Sequence, residues 1–179
     1  DFFYDKVIRS GLTIDELFET IKKLEVINIR LDADDDPQLI FESLNSTGLD
    51  LSEADKIRNY LLMSLSPTEQ DYLYNRFWNP IEVFTKYDPS SFVRDYLTMK
   101  QGKIGRIDKI YFIFKEYAEG NNMARADLLE DMHHYAKIYG QIDNAKAGTD
   151  KLNQKLSQLR RLDSTIAYPF FMAFFRHTG

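Results

Sequence analysis

The stretch Asp36-Pro37-Gln38-Leu39-Ile40-Phe41-Glu42-Ser43-Leu44-Asn45-Ser46-Thr47-Gly48-Leu49-Asp50-Leu51-Ser52-Glu53-Ala54-Asp55-Lys56-Ile57-Arg58-Asn59-Tyr60-Leu61-Leu62 reads as two helices joined by a tight turn. Asp36 stands as an N-cap. Pro37 follows at the first helical position, where its missing N–H costs nothing because that group has no partner inside the helix. Leu39, Ile40 and Leu44 make one apolar stripe, and Gly48 supplies the left-handed residue that ends it. Ser52 caps the second helix, with Asp55 at its N3 position as a short variant of the capping box. The polar residues around this turn are unusually specific: Asn45 before it, then Asp55, Arg58 and Asn59 beyond it.

Upstream, Thr13 and Glu16 form a capping box, and Ile14, Leu17, Phe18, Ile21 and Leu24 recur at helical spacing. Val26 to Leu31 alternates, with Ile27, Ile29 and Leu31 on one face against Asn28 and Arg30, and predicts a short strand. A lone strand cannot satisfy its own backbone groups, so its pairing partners are expected outside this chain.

Downstream, everything reads as helix. Ser66-Pro67, Asn79-Pro80 and Asp88-Pro89 each carry the cap-plus-proline start signal. Stops are expected at Gly102, Gly120 and Gly140, and Thr149 starts a helix with Leu152, Leu156, Leu159 and Leu162 on one face. A last helix carries the aromatic run Tyr168, Phe170, Phe171, Phe174 and Phe175. The expected fold is mainly α: an irregular multi-helix array with at most one or two short β-strands near the N-terminus. There is no internal repeat and no low-complexity segment.

The segment from Phe41 to Asn59 resembles the "FE-x-LN-x-x-G-x-x-L-x-x-x-D-x-I-x-N" stretch of the GmrSD-type restriction endonuclease N-terminal family, a former domain of unknown function with a ParB-like region. Phe41, Glu42, Leu44, Asn45, Gly48, Leu51, Asp55, Ile57 and Asn59 carry the match, and Leu24 to Leu31 resembles the strand before that motif. The resemblance covers Leu24 to about Met63. It implies that residues 1–65 are the C-terminal part of such a domain and that residues 66–179 are a helical array leading towards a further domain. In that family an Asp-Gly-Gln-Gln-Arg motif is tied to nucleotide hydrolysis, and many members add an HNH-like nuclease domain. Neither motif occurs in this sequence. The resemblance therefore implies an NTP- and Mg²⁺-using DNA restriction or defence protein whose chemistry lies outside this chain. The chain itself would be non-catalytic, without a cofactor, and would position nucleotide- and DNA-acting domains.

Each candidate residue also has a purely structural reading. Asn45 can present its amide to a ligand, or it can tie up orphan carbonyls at a helix end. Asp55 and Arg58 lie one turn apart; Asp55 either orients Arg58 towards a phosphate or is its surface partner near the helix N-terminus. Lys103 and Arg106, within the basic run Lys100, Lys103, Arg106 and Lys109, are candidate phosphate contacts, or ornaments of a solvated turn. The acidic loop Asp32, Asp34, Asp35 and Asp36 lacks the glycine and glutamate spacing of an EF-hand. Adjacent His133 and His134 cannot form the i, i+4 pair of a helical zinc site, so no metal site is expected and both histidines are read as surface residues.

Bulk properties narrow the classes further. The chain has 179 residues, 44% hydrophobic, with 13 Phe and 11 Tyr, which is enough to bury a core and argues against disorder. It has no Cys, which excludes disulfides and thiolate sites. A net charge of −5 disfavours indiscriminate nucleic-acid binding. No GxGxxG or GxxxxGK[ST] loop supports a self-contained nucleotide site. No apolar run approaches the ~20 residues of a membrane span, and a cytoplasmic protein is expected. Opening on Asp1 and closing on Gly179 directly after an aromatic helix, the chain is expected to be an excised piece of a longer protein. Its partners would then be the adjoining domains, DNA in the whole protein, or a second copy. The competing class is a helical interaction or dimerisation module that touches neither DNA nor nucleotide. A DNA-reading helix-turn-helix ranks last, because the second helix offers only Lys56 and Arg58 as basic residues.

Overall fold

A computed structural model describes residues 2–26, 28, 30, 40, 51–63, 65–161 and 165–176. The chain divides into two compact units, Asp1–Asp35 and Asp36–Gly179. The fold is mainly α, and no strand occurs among the described residues. Val26, Asn28 and Arg30 are irregular, while Ile27, Ile29 and Leu31 of the expected strand lie outside the described residues, as do Asn45, Gly48 and the acidic loop.

The first unit holds α1 (Phe2–Ser10) and α2 (Ile14–Ile21). The Thr13–Glu16 capping box forms as expected: Glu16 N–H donates to Thr13 Oγ1 at 3.2 Å, and Thr13 N–H donates to Glu16 Oε2 at 2.8 Å. These bonds from Thr13 favour the ionised form and hold the Glu16 carboxyl below its usual range.

In the second unit, α3 (Glu53–Leu62) buries Ala54, Ile57, Leu61 and Leu62, an i, i+3, i+7, i+8 stripe. Next come α4 (Pro67–Leu73), a π-helical turn (Tyr74–Trp78) and α5 (Asn79–Phe84). Asn79-Pro80 does not begin a separate helix, contrary to the sequence expectation. Trp78 keeps helical dihedrals, and Asn79 N–H donates to Tyr74 O, five residues back. Pro80 lacks an N–H and crowds the preceding turn; widening that turn to π geometry lets the helix pass through the proline unbroken.

The remainder of the unit is α6 (Pro89–Gln101), a 3₁₀ turn (Ile107–Lys109), α7 (Ile110–Gly120), α8 (Arg125–Asp143), α9 (Asp150–Arg160) and α10 (Tyr168–Arg176). Asp88 caps α6 through Ser91 N–H, and Gly102 ends it at φ +69°. Gly140 corrects another expectation, for it lies inside α8, which runs on to Asp143. A Cβ at Gly140 would sit 2.8 Å from the Phe84 carbonyl oxygen, so the glycine serves close helix packing rather than chain termination.

The long helix α8 is the central member, packing against α5, α6, α9, α10 and α3, while α3 also packs on α6 and α7. Trp78, Tyr96, Tyr111, Phe92 and Phe114 are fully buried. At about 1.5–3 kcal/mol for each large apolar side chain, they dominate the cohesion of this core. Helix α3 shares one core with the helices beyond Leu65-Ser66.

Candidate functional site

Helix α3 carries three residues of the sequence-selected group: Asp55, Arg58 and Asn59. Ser52 Oγ accepts Asp55 N–H at 3.1 Å and donates back to Asp55 Oδ2 at 2.7 Å. The Asp55 side chain, fixed by that cap, holds Arg58 Nη2 at 2.9 Å through Oδ1. A second acid, absent from the sequence reading, meets the same guanidinium. Glu82 Oε1 lies 3.3 Å from Arg58 Nη1 and accepts Trp78 Nε1–H at 2.7 Å, while Glu82 Oε2 accepts the Tyr74 hydroxyl at 3.4 Å. Desolvation, followed by the Glu82 charge, raises the Tyr74 phenol above its usual range. The π-turn brings Tyr74 and Trp78 to the Glu82 carboxylate.

Two carboxylates thus face one guanidinium. A phosphate approaching Arg58 would have to displace them, so the arrangement suits an interhelical clamp better than an anion grip. Asn59 helps line an adjoining groove of about 220 Å³, together with Arg58, Leu62, Met63, Gln70, Asp71 and Tyr74. Its amide has no hydrogen-bond partner among the described residues, which leaves it available to another group.

Three further links fasten α3. Glu53 Oε2 accepts Tyr111 N–H at 2.9 Å at the start of α7, whose own N-cap residue, Lys109, provides no side-chain bond. Ser90 Oγ, from the first turn of α6, accepts Ala54 N–H at 3.2 Å. At the other end, Arg125 Nη1 donates to the Met63 carbonyl. Caps supplied across 58 and 36 residues of sequence cannot be found by scanning local motifs.

Lys103 and Arg106 are not brought to this site: neither bonds to Asp55, Arg58 or Asn59. Arg106 forks onto Asp108, at 3.0 and 2.7 Å. The hydrogen bond from Arg106 holds the Asp108 carboxyl below its usual range. Lys100 is withdrawn to Asp131 at 2.6 Å, over the Tyr96 and Tyr135 rings. Two of the four basic residues in the run, Lys100 and Arg106, are thus paired with acids.

His133 differs from the surface reading. It is half-buried between the Phe77 and Phe84 rings, with centroids 5.8 Å from each. Desolvation, then the Lys137 and Arg76 charges, hold its pKa below the usual value. No group of three acidic or histidine side chains placed to hold a metal occurs among the described residues. Tyr168 of the aromatic run is buried, as is Met172 on the same helix, and Phe171 and Phe175 pack against the core. Phe170 and Phe174 stack on each other, 67% and 52% exposed. No described helix is long and apolar enough to cross a membrane. No protein-family model matches the chain, and neither does any curated protein or solved structure.

Proposed function

We propose that this chain is a non-catalytic helical support module of a GmrSD-like, NTP-dependent DNA restriction protein. Its task is to hold α3, and the Phe41–Asn59 segment that ends on it, in fixed register for nucleotide- and DNA-acting parts. The observation that supports this reading is the fastening of α3 at three levels: Glu53 and Ser90 at its start, Arg58–Glu82 in its middle, and Arg125 at its end. Asp55 and Arg58 act as internal braces on this view. Asn59, half-buried and with no side-chain hydrogen-bond partner among the described residues, is the residue of α3 offered to another group. Nucleotide and Mg²⁺ would be used by the adjoining parts.

The test is restriction of incoming DNA by the protein that carries this chain. Asn59→Ala is expected to reduce restriction at an unchanged melting temperature, and Arg58→Ala to lower both together. Normal restriction in both variants would contradict the proposal.

The second reading, an interaction or dimerisation module, draws its support from the stacked and exposed Phe170–Phe174 pair. Sedimentation equilibrium decides it, with a dimer that is lost in the Phe170→Ser/Phe174→Ser double variant.

A further inference from the structure

Asp95 is only 4% exposed, and its Oδ2 has no hydrogen-bond partner among the described residues. An uncompensated buried oxygen is rare enough in a folded protein to require a reason. Oδ1 meets the neighbouring Arg94, whose Nε lies at 3.4 Å and Nη2 at 3.2 Å. That Nη2 also reaches Thr165 Oγ1 at 3.5 Å, and the Thr165 carbonyl accepts Tyr168 N–H, the first residue of α10, at 2.8 Å. The buried acid is thus linked through one arginine to the segment that starts α10, a helix seated on α6 and α8.

We propose that Asp95 is a proton-operated latch for α10: neutral, it lets the helix seat fully, and ionised, it loosens that seat. The inference stands apart from the reading of α3. Arg94 is partly solvated, so its charge offsets the desolvation of Asp95 incompletely. The charged and titratable surroundings are known from each packed element. From α6 come Asp88 and Arg94, from α8 Tyr139 and Asp143, and from α10 Tyr168; Lys86 holds Asp143, and Arg160 of α9 acts on Tyr168. Burial pushes the Tyr168 phenol up to about 12 and Tyr139 higher still, so neither titrates near neutrality. Burial likewise pushes the Asp95 carboxyl up to about 6, with Asp88 adding to it and Arg94 opposing it.

Hydrogen exchange along α10 tests the latch. After correction for intrinsic exchange, protection of α10 is expected to rise about tenfold from pH 8 to pH 5. Asp95→Asn, with His133, His134 and His177 intact, is expected to hold the higher protection at both pH values. The same rise in the variant as in the native chain would overturn the proposal. Should the variant not fold, the ¹³C-carboxyl titration of Asp95 in the native chain decides. A midpoint near 6 supports the latch, and one in the ordinary range near 4 overturns it.

Discussion

Replacing Gly140 with Ala puts the packing of α8 on α5 to a quantitative test. In an exposed helix interior this exchange gains about 1 kcal/mol from propensity alone. Here the new Cβ would lie 2.8 Å from the Phe84 carbonyl oxygen and 3.4 Å from Phe84 Cβ. The first of these is backbone at the end of α5 and cannot rotate away. Overpacking of this kind costs roughly 1–3 kcal/mol, with the upper part expected against a carbonyl, so the net loss should be about 1–2 kcal/mol. For a unit of this size that lowers the melting temperature by about 2–4 °C per kcal/mol. Urea unfolding followed through Trp78, fully buried in the native state, measures it. Gly120→Ala is the control, because nothing lies within 4 Å of a Cβ there. It should be neutral or stabilising by up to about 1 kcal/mol. A Gly140→Ala protein as stable as the native chain, or more so, would refute the close approach.

Asp95 should make stability pH-dependent. Its folded-state pKa of about 6 lies above the ordinary 3.8, so its favourable contribution is complete below pH 3.8 and is lost as the pH rises through 6. From this group alone the native chain should lose about 2 kcal/mol between pH 4 and pH 7, and Asp95→Asn should remove that part of the slope in urea titrations across the range. Glu53→Gln and Ser90→Ala each weaken a cap supplied from a distant helix and should cost about 0.5–2 kcal/mol, read from thermal unfolding. Trp78→Phe deprives Glu82 of its indole donor; a double-mutant cycle with Arg58→Met should give a coupling of about 0.5–3 kcal/mol, where additivity would show that Glu82 does not join the two.

The helix starts at Thr13, Ser52, Ser66, Asp88 and Thr149 could be read from sequence because each cap bonds a backbone N–H only three residues ahead. The stop at Gly102 is equally local. Gly140 and Asn79-Pro80 misled the same reasoning, since tertiary packing decides both: one glycine admits a neighbouring helix, and one proline is absorbed by a π-turn. At the candidate site, the Asp55–Arg58 pair was visible at its helical spacing. Glu82, 24 residues from Arg58, was not, nor were Ser90 and Asp95, whose roles arise only when helices meet. Asn45 and Gly48 lie outside the described residues.

A DNA-binding titration of this chain at several salt concentrations tests the support role most directly. With Arg58 held by two acids, Arg106 by Asp108 and Lys100 by Asp131, no saturable binding to duplex or single-stranded DNA is expected near physiological salt. Micromolar binding that weakens with salt, and weakens further in Lys103→Ala, Arg106→Ala or Arg58→Ala, would contradict the account by making the chain a DNA-gripping element in its own right.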